Sequence, residues 1–455
     1  MSTELKNPLG DILKIPELRR RILFTLGIIA AYRLGATIPV PGVNAEALRS
    51  FFAYQQQQNT LLSFLNIFSG GALGHLAIFA MGVGPYINAS IIISLLQGAH
   101  VIPYLDRLAK EGEQGRKRLM QITRYLTLVL GGLQSFGLAL SISKFTAPGG
   151  LPIVLDPSAG WLALTVLTLT TGSVFIMWLG EQITERGIGN GVSIIIFSGI
   201  VDRIPGGIGA LFESVRAEST SLFTALALVA IIVVITGLVV WVETAQRRIP
   251  VQYAQRVVGR KVMGGGSQYL PLKVDQSGVI AVIFAVSLLA VPMTIAAFFP
   301  QSPWAKLAKL EQSGHWTYEM FYAGLIIFFC YFYNSVQFNP TDLAENLLRK
   351  RGGFIPGIRP GQPTALYIQK ILERITLGGA LFVAAIAVLP DYLRRAFNSP
   401  FVFGGTALLI VVGVALDTIG QIQSHLIMRH YDGFVKGGGG FKGRWFNIGG
   451  GGGGS

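Results

Sequence analysis

Long apolar runs dominate this sequence of 455 residues and restrict its fold more than any motif does. An apolar segment of ~20 residues crosses the hydrocarbon core of a bilayer as a helix, and an open sheet edge cannot persist in lipid. The runs therefore predict an all-α polytopic membrane protein with ten transmembrane helices. They lie near residues 22–40, 75–102, 119–143, 161–180, 190–204, 222–242, 278–299, 318–338, 375–390 and 401–420.

Charge sets the predicted orientation of these spans. Only 13% of the residues are charged, against 51% apolar, yet the formal net charge is +14. Such a charge alone would also suit a nucleic-acid binder, but the positive residues alternate with the spans. They gather before the first run and after the even-numbered runs, as at residues 116–118 and 247–248, and are sparse in the opposite loops. By the positive-inside rule, both termini are predicted to be cytoplasmic.

One apolar stretch is too short to span. The run in residues 61–69 stops at Gly70 and Gly71, and a run of full spanning length follows within a few residues. Because the backbone of a half-length helix finds no hydrogen-bond partners in lipid, it must be buried in protein or line a water-filled cavity. We therefore expect a re-entrant segment here.

Two predicted cytoplasmic loops, 243–277 and 339–374, are much longer than the others. The first has the alternation and turn glycines of a hairpin, with Arg256 to Met263 pairing with Tyr269 to Val274. The second predicts a short amphipathic helix, a Gly/Pro-rich tip and another short helix. Their positive residues could serve as topology anchors only, but the length of both loops favours docking to an acidic or RNA-rich cytosolic partner.

Few residues offer chemistry. The GIGNG stretch at 187–191 has the glycine density of a phosphate loop, but it follows a span and lacks both the strand and the Lys-Ser/Thr of that motif, so it is read as a connection between spans. Five scattered histidines and the lone Cys330 predict no metal site and no disulfide. Without a visible nucleophile or cofactor motif, the chain is not predicted to be an enzyme.

Charged residues within the runs lie near their ends, where snorkelling or interhelix pairing explains them without a proton path. These residues are Arg33, Arg124, Glu181, Asp202 and Asp417. A secondary transporter for a small solute is the competing function, since broken helices and similar halves are its marks. It would place strongly polar coupling groups near the bilayer midplane, whereas the stretch of most interest there, residues 82–96, is mostly aliphatic.

Eight motifs, in order and at fitting spacing, resemble the SecY family, whose members are the central subunits of the bacterial protein-conducting channel. They are IPELRRRILFTL, NIFSGGALGHLAIFAMGVGPYINASIII, KEGEQGRKR, WLGEQITERGIGNGVSIIIF, RRIPVQYAQR, YLPLKV, FNPTDLAENL and GGFIPGIRPGQPT. The resemblance implies two pseudo-symmetric halves, 22–204 and 222–435, around an hourglass pore. A cytoplasmic segment, 1–21, would precede them, an external connection, 205–221, would join them, and the Gly-rich tail, 436–455, is expected to lie outside the fold.

The resemblance also implies roles for individual residues. A ring of aliphatic side chains would constrict the pore: Val83, Ile87, Val192, Ile196, Ile280 and Ile410. The short run would be a plug helix at about 61–69, with the apolar residues Leu61, Leu62, Phe64, Leu65, Ile67 and Phe68. A lateral gate between the second and seventh helices would include Asn88, Ile91, Ile92 and Ile283. Partner docking would fall on Arg247, Arg248, Arg256, Arg260, Lys261, Arg349, Lys350, Arg351 and Arg359.

The implied function is passage of unfolded secretory polypeptides across the membrane, with sideways release of apolar segments that prefer lipid. No energy source is visible in the chain, so a partner must supply it. The resemblance implies the SecA motor or a translating ribosome in that role, SecE and SecG as further subunits, and signal sequences as ligands, with no metal or cofactor. The implied location is the bacterial cytoplasmic membrane or a thylakoid-type membrane.

Overall fold

The computed structural model describes residues 15–57, 66, 69–99, 101–145, 150–218, 221–253, 256–258, 261–263, 267–275, 277–298, 316–351, 353–397 and 405–437. Most of them are helical. The helices are α1 Pro16–Thr37, α2 Ala45–Gln57, α3 Gly84–Gly98, α4 Pro103–Lys110, α5 Glu113–Lys144, α6 Ala159–Arg186, α7 Gly191–Val201, α8 Arg203–Arg216, α9 Leu222–Thr244, α10 Gly278–Phe298, α11 Trp316–Gln337, α12 Pro340–Arg351, α13 Gln362–Phe397 and α14 Gly405–Gly437. The strands are β1 Gln246–Tyr253, β2 Arg256–Val258, β3 Lys261–Met263, β4 Ser267–Lys273 and β5 Gly353–Phe354.

Seven helical segments of the described chain are long and apolar enough to cross a membrane. They are α5, α6, α7 with α8, α9, α11 with most of α12, the part of α13 up to Leu389, and Thr406–Leu426 of α14. The predicted class, a helical protein with several spans, is thereby confirmed. The other three predicted spans overlap α1, α3 and α10. The fifth span begins at Gly191 as expected, but α8 continues it as far as Arg216 through most of the stretch that was expected to be a connection.

The second predicted span, 75–102, is not one continuous helix. A 3-10 helix over Ala72–His75 ends where this span was predicted to begin, and further turns follow up to Val83. The helix α3 then runs for only 15 residues. Gly82 has φ 54°, which is incompatible with a right-handed helix, and Pro85 lies in the first turn of α3. Leu76 and Ala77 are fully buried, so this irregular backbone is covered by protein, as a membrane requires.

The described helices meet along two seams. On one side, α10 packs against α3 and α5, and α11 packs against α3. On the other side, α14 packs against α7. Since α1 to α7 precede the connection between the predicted halves and α9 to α14 follow it, both seams join one half to the other. The main apolar cluster of the molecule includes buried residues from both sides of both seams.

The first long loop folds differently from the predicted hairpin. β4 pairs along its whole length with β1, from Gln246 opposite Lys273 to Gln252 opposite Ser267. Among the described residues, β2 and β3 pair with each other and with no other strand. The predicted pairing of Arg256 to Met263 with Tyr269 to Val274 is therefore wrong. In β1 the buried Ile249 and Val251 alternate with exposed residues. One face of the sheet formed by β1 and β4 is therefore buried.

The second long loop joins the first. β5 extends the sheet in the order β4, β1, β5, with Gln252 opposite Phe354. Beneath this sheet, Ile249 and Leu272 of the first loop cluster with Ile355, Ile368 and Leu372. The second predicted short helix is instead the beginning of α13, which runs for 36 residues into the ninth span. Both loops thus form one folded body, which we call the sheet platform: β1, β4, β5, α12 and the first turns of α13.

Candidate functional site

The six residues of the predicted ring all lie in or against the main apolar cluster, which contains residues of both predicted halves. They lie on or beside four elements of the seams, α3, α7, α10 and α14. Val83, Ile87, Ile196 and Ile410 are buried members of the main apolar cluster, and Val192 and Ile280 pack against it. All six side chains are aliphatic, so none of them offers a polar group to hold water or an ion.

Local sequence places these side chains. Val83 precedes Pro85 at the start of α3, where the turn glycines end and the helix begins. On α7, Asn190 caps the first turn by accepting a hydrogen bond from the Ser193 backbone N–H at 3.3 Å. That cap fixes the start of α7, so Val192 and Ile196 follow on neighbouring turns of one helix face.

The predicted gate residues divide into two groups. Ile91 on α3 and Ile283 on α10 are buried in the same cluster, and their two helices are in contact. Asn88 is half-buried, whereas Ile92 is 37% exposed and points out of the cluster. The C-terminal end of α3 also lies close to α11, since a Cβ at Gly98 would be 2.7 Å from Val336 Cγ2.

The predicted plug residues, Leu61, Leu62, Phe64, Leu65, Ile67 and Phe68, lie outside the described residues. The structure describes Asn66, which lies among them in sequence, and the turn at Ser69–Gly74 that follows them. Gly70 and Gly71 adopt left-handed φ values of 64° and 90°. A Cβ at Gly70 would also meet the Tyr32 hydroxyl at 2.8 Å, so this position requires glycine for two reasons.

Polar side chains from α1 and α8 hold that turn. The Tyr32 hydroxyl donates to the Ser69 carbonyl at 2.9 Å, and Arg33 Nη1 donates to the Gly70 carbonyl at 3.2 Å. Arg203 Nη2 donates to the Asn66 carbonyl at 3.1 Å. Sequence reasoning did not identify Tyr32 or Arg203, because their partners are backbone carbonyls, which leave no trace in the sequence.

The GIGNG stretch is a junction between helices, as predicted. It connects α6 to α7, and Gly191 lies so close to α6 that a Cβ would be 1.8 Å from the Gly180 carbonyl oxygen. The Gly189 N–H donates to Gln421 Oε1 of α14 at 2.8 Å, and the Ile188 N–H donates to Thr25 Oγ1 of α1 at 3.2 Å. Its backbone donors are thus used within the protein and not for phosphate.

The charged residues within the spans are paired, as predicted. Arg33 contacts Asp202 at 3.0 Å between α1 and the end of α7. Arg124 of α5 forms two contacts of 2.8 Å with the Glu181 carboxylate of α6. Asp417 of α14 lies 3.6 Å from the Lys273 ammonium of β4.

The predicted docking residues lie on or next to the sheet platform. Arg247 and Arg248 of β1 are exposed, and so is Arg359 in the tip between β5 and α13. The Arg359 carbonyl accepts a hydrogen bond from Thr364 Oγ1 at 2.9 Å, which ties the tip to the start of α13. Arg256 and Lys261 lie on β2 and β3. Arg349, Lys350 and Arg351 lie on α12, and Arg260 falls outside the described residues.

The platform is connected to α10 through Asp275. Its Oδ1 accepts hydrogen bonds from the Gly278 N–H at 2.8 Å and from Ser277 Oγ at 3.1 Å, which caps the first turn of α10. Burial raises the pKa of the Asp275 carboxyl, and these two hydrogen bonds oppose that shift. Asp275 lies two residues after the end of β4, so this cap ties the start of α10 to the platform.

Solved channel structures share this architecture. A structure described as a protein conducting channel superimposes with a TM-score of 0.66 at 16% identity, covering 94% of this chain and 99% of that one. A Sec61 structure from the canine ribosome-channel complex of the endoplasmic reticulum gives a TM-score of 0.62 at 15% identity, with the same coverage. At these identities the likeness concerns the fold.

Sequence relatives are much closer. The protein translocase subunit SecY of Aquifex aeolicus is 45% identical over 430 residues, which cover 94% of this chain and 99% of the relative. The subunit of the same name from Mycobacterium tuberculosis is 47% identical over 447 residues, covering 93% and 98%. The SecY family model matches residues 77–419. With its eight motifs, its two seams and relatives of this identity along nearly its whole length, the chain belongs to the SecY family.

Proposed function

We propose that this chain forms the protein-conducting channel of a protein translocase. It passes unfolded secretory polypeptides across the cytoplasmic membrane and releases apolar segments sideways into lipid. The observation that carries the proposal is the main apolar cluster, to which α3, α7, α10 and α14 each contribute aliphatic residues. It occurs in a member of the SecY family. The relatives' printed name, protein translocase subunit, supports the same function.

Ten spanning helices in two halves, 22–204 and 222–435, surround an hourglass pore whose waist is the six-residue ring. A pore for unfolded chains must contact any side chain without binding it. Aliphatic side chains meet this demand, because they dewet the closed constriction against ions yet repack around a passing polypeptide. The segment at 61–69 is the plug that covers the ring in the closed state.

The lateral gate lies where α10 packs against α3. Ile91 and Ile283 are buried in this contact, and their separation would open a path from the pore to lipid. A signal sequence enters by that path, because its apolar residues prefer lipid to water. The exposed Ile92 lies on the side of α3 turned away from the cluster, where lipid tails would cover it.

Energy comes from partners that dock on the sheet platform, either the SecA motor or a translating ribosome, with SecE and SecG as further subunits. The folding of both long loops into one body supports this role, since a motor can then push against a single rigid surface. A Sec61 neighbour described in a ribosome-channel complex is consistent with the ribosome as partner. The excess of positive residues around the platform supports a cytoplasmic location for it and for both termini.

The test is translocation by the purified chain with SecE in proteoliposomes. Addition of SecA, ATP and a presecretory protein should make the precursor resistant to external protease, and omission of ATP should prevent this. A secondary transporter would instead accumulate a small solute in response to an ion gradient without any motor. Gradient-driven solute uptake together with failure to protect the precursor would overturn the proposal.

The docking role can be tested separately at Arg359. Its guanidinium is exposed at the platform tip, in the planar form that suits a carboxylate or phosphate. Arg359→Glu should reduce motor-driven transport at least about tenfold, since a like charge at such a contact is repulsive. The control is Arg216→Glu, the same charge change at an exposed site on α8. Normal transport and normal SecA affinity in the Arg359 variant would remove the tip from the docking surface.

A further inference from the structure

The turn at Ser69–Gly74, together with Asn66, is attached to other elements through side-chain hydrogen bonds to its carbonyl oxygens and through the buried Ala72 and Leu73. Three of its carbonyls accept side-chain donors from outside the turn: Asn66 from Arg203, Ser69 from Tyr32 and Gly70 from Arg33. We propose that Arg33 and Arg203 form a latch that keeps this turn seated in the closed channel, with Asp202 positioning Arg33. The inference rests on the proposed channel function and adds positioning residues to it.

The two arginines bind the turn from different helices. Arg33 lies on α1, and its guanidinium contacts the Gly70 carbonyl, the Ser198 carbonyl of α7 and the Asp202 carboxylate. Arg203 comes from the first residue of α8 and reaches the Asn66 carbonyl. The turn is therefore bound by α1, which precedes it in sequence, and by α8, which follows it by about 130 residues.

Hydrogen bonds within the turn connect its residues to one another. The Asn66 carbonyl accepts from the Gly71 N–H at 2.8 Å, and its side-chain Oδ1 accepts from the Gly74 N–H at 2.8 Å. Ser69 Oγ accepts from the Leu73 N–H at 3.1 Å. These bonds join residues close in sequence, whereas the side-chain hydrogen bonds that attach the turn to other elements come from the two arginines and Tyr32.

Charge explains why arginine suits this role. A guanidinium offers five donors in a fixed plane, so Arg33 can bind two carbonyls and a carboxylate at once. Carbonyl oxygens carry only partial charge, so each bond is strong enough to hold the turn and weak enough to be broken when a polypeptide arrives. Asp202 is 60% exposed, so its ion pair contributes little by itself and acts chiefly to orient Arg33.

The test compares four variants of the full chain in lipid nanodiscs and planar bilayers: Arg33→Met, Arg203→Met, Asp202→Asn and Arg216→Met. Methionine fills much of the arginine's space without a donor. The latch predicts that amide exchange in residues 66–76 accelerates about tenfold in the Arg33 and Arg203 variants, the factor that one charge-assisted hydrogen bond is worth. Both variants should also leak ions in planar bilayers. Asp202→Asn should accelerate exchange only about twofold to threefold, and the exposed control Arg216→Met should behave as wild type.

Each alternative has a distinct result. If Asp202→Asn equals Arg33→Met in both measurements, the ion pair and not the carbonyl contacts holds the turn, and the latch is wrong. Faster exchange without ion leakage would make the contacts purely structural and would also overturn the latch. Failure of the wild-type chain to translocate a presecretory protein with SecA and ATP would instead count against the channel function, whatever the exchange rates show.

Discussion

Two neighbouring apolar helices, α9 and α10, are nearly indistinguishable in sequence and opposite in environment. They have 23 and 21 residues and contain almost only aliphatic and aromatic side chains with a few small or polar ones. In α9 only Ala225, Leu228 and Val239 are buried. In α10 every described position from Ala281 to Val286 is buried.

The difference arises because lipid is as apolar as a protein core. In water, an apolar face must turn inward, so hydrophobicity locates the core. In a bilayer, the exposed Val233 and Trp241 of α9 lose nothing by facing outward. What separates the helices is their neighbours, since α10 packs against helices of both halves while α9 contacts α8, α13 and α14. The proposed function needs α10 to move and needs α9 only to stay in place.

The largest expected effect comes from tying each helix to a neighbour. In a Cys330→Ser background, Ile91→Cys with Ile283→Cys should block translocation almost completely after oxidation, because α10 can no longer separate from α3. Leu211→Cys with Leu228→Cys, which joins α8 to α9 within one apolar cluster, is the matched control and should leave transport unchanged. Protease protection of a presecretory protein, before and after reduction, is the measurement.

Reduction should restore transport in the α3–α10 pair, since the block is covalent. Complete crosslinking with undiminished transport would show that α10 does not need to move, and the contrast with α9 would lose its functional meaning. A block by the control pair as well would show that any restraint stops the channel.

A polar side chain should also separate the two helices. Ile280→Asn on α10 or Ile410→Asn on α14 should leave a folded protein that carries continuous ion currents, because an amide in the ring lowers the cost of wetting the constriction. Val234→Asn on α9, where the side chain is 65% exposed, should give no current. Conductance in planar bilayers is the measurement, and equal, negligible currents in all three variants would contradict the ring.

Much of the architecture could be predicted from sequence. The lengths of apolar runs located the helices. Charge near their ends predicted snorkelling or interhelix pairing without naming partners, and the structure shows the pairs Arg33–Asp202 and Arg124–Glu181. Prediction failed where the outcome depended on partners distant in sequence. The pairing of β4 with β1 is one case, because two alternating segments can pair with each other or with a third. The short α3 is another, since the length of an apolar run does not reveal the positive φ of Gly82 just before that helix.

The candidate site shows the same division. On spacing alone, the ring residues Ile196 and Ile410 are ordinary aliphatics of a span, and only resemblance to the SecY family singled them out. Periodicity identifies which residues share one face of a single helix. It does not identify which faces of four different helices pack against one another. The latch arginine Arg203 was missed for a related reason, since its partner is a carbonyl in a turn far away in sequence.

The smallest expected effect concerns side-chain volume, and it examines the comparison without reference to transport. Ala285 of α10 is fully buried, whereas Ala230 of α9 is exposed. Ala285→Leu adds three carbons to a packed interior and should lower the free energy of unfolding by about 1–3 kcal/mol. Ala230→Leu places the same atoms among lipid or detergent tails, which rearrange around them, and should change it by less than about 0.5 kcal/mol. Thermal unfolding of both variants in the same detergent measures the difference.

Equal melting temperatures of the two variants would mean that the surroundings of α10 rearrange around the added atoms as easily as detergent does around α9. The difference in burial between the two helices would then not hold for the protein in detergent.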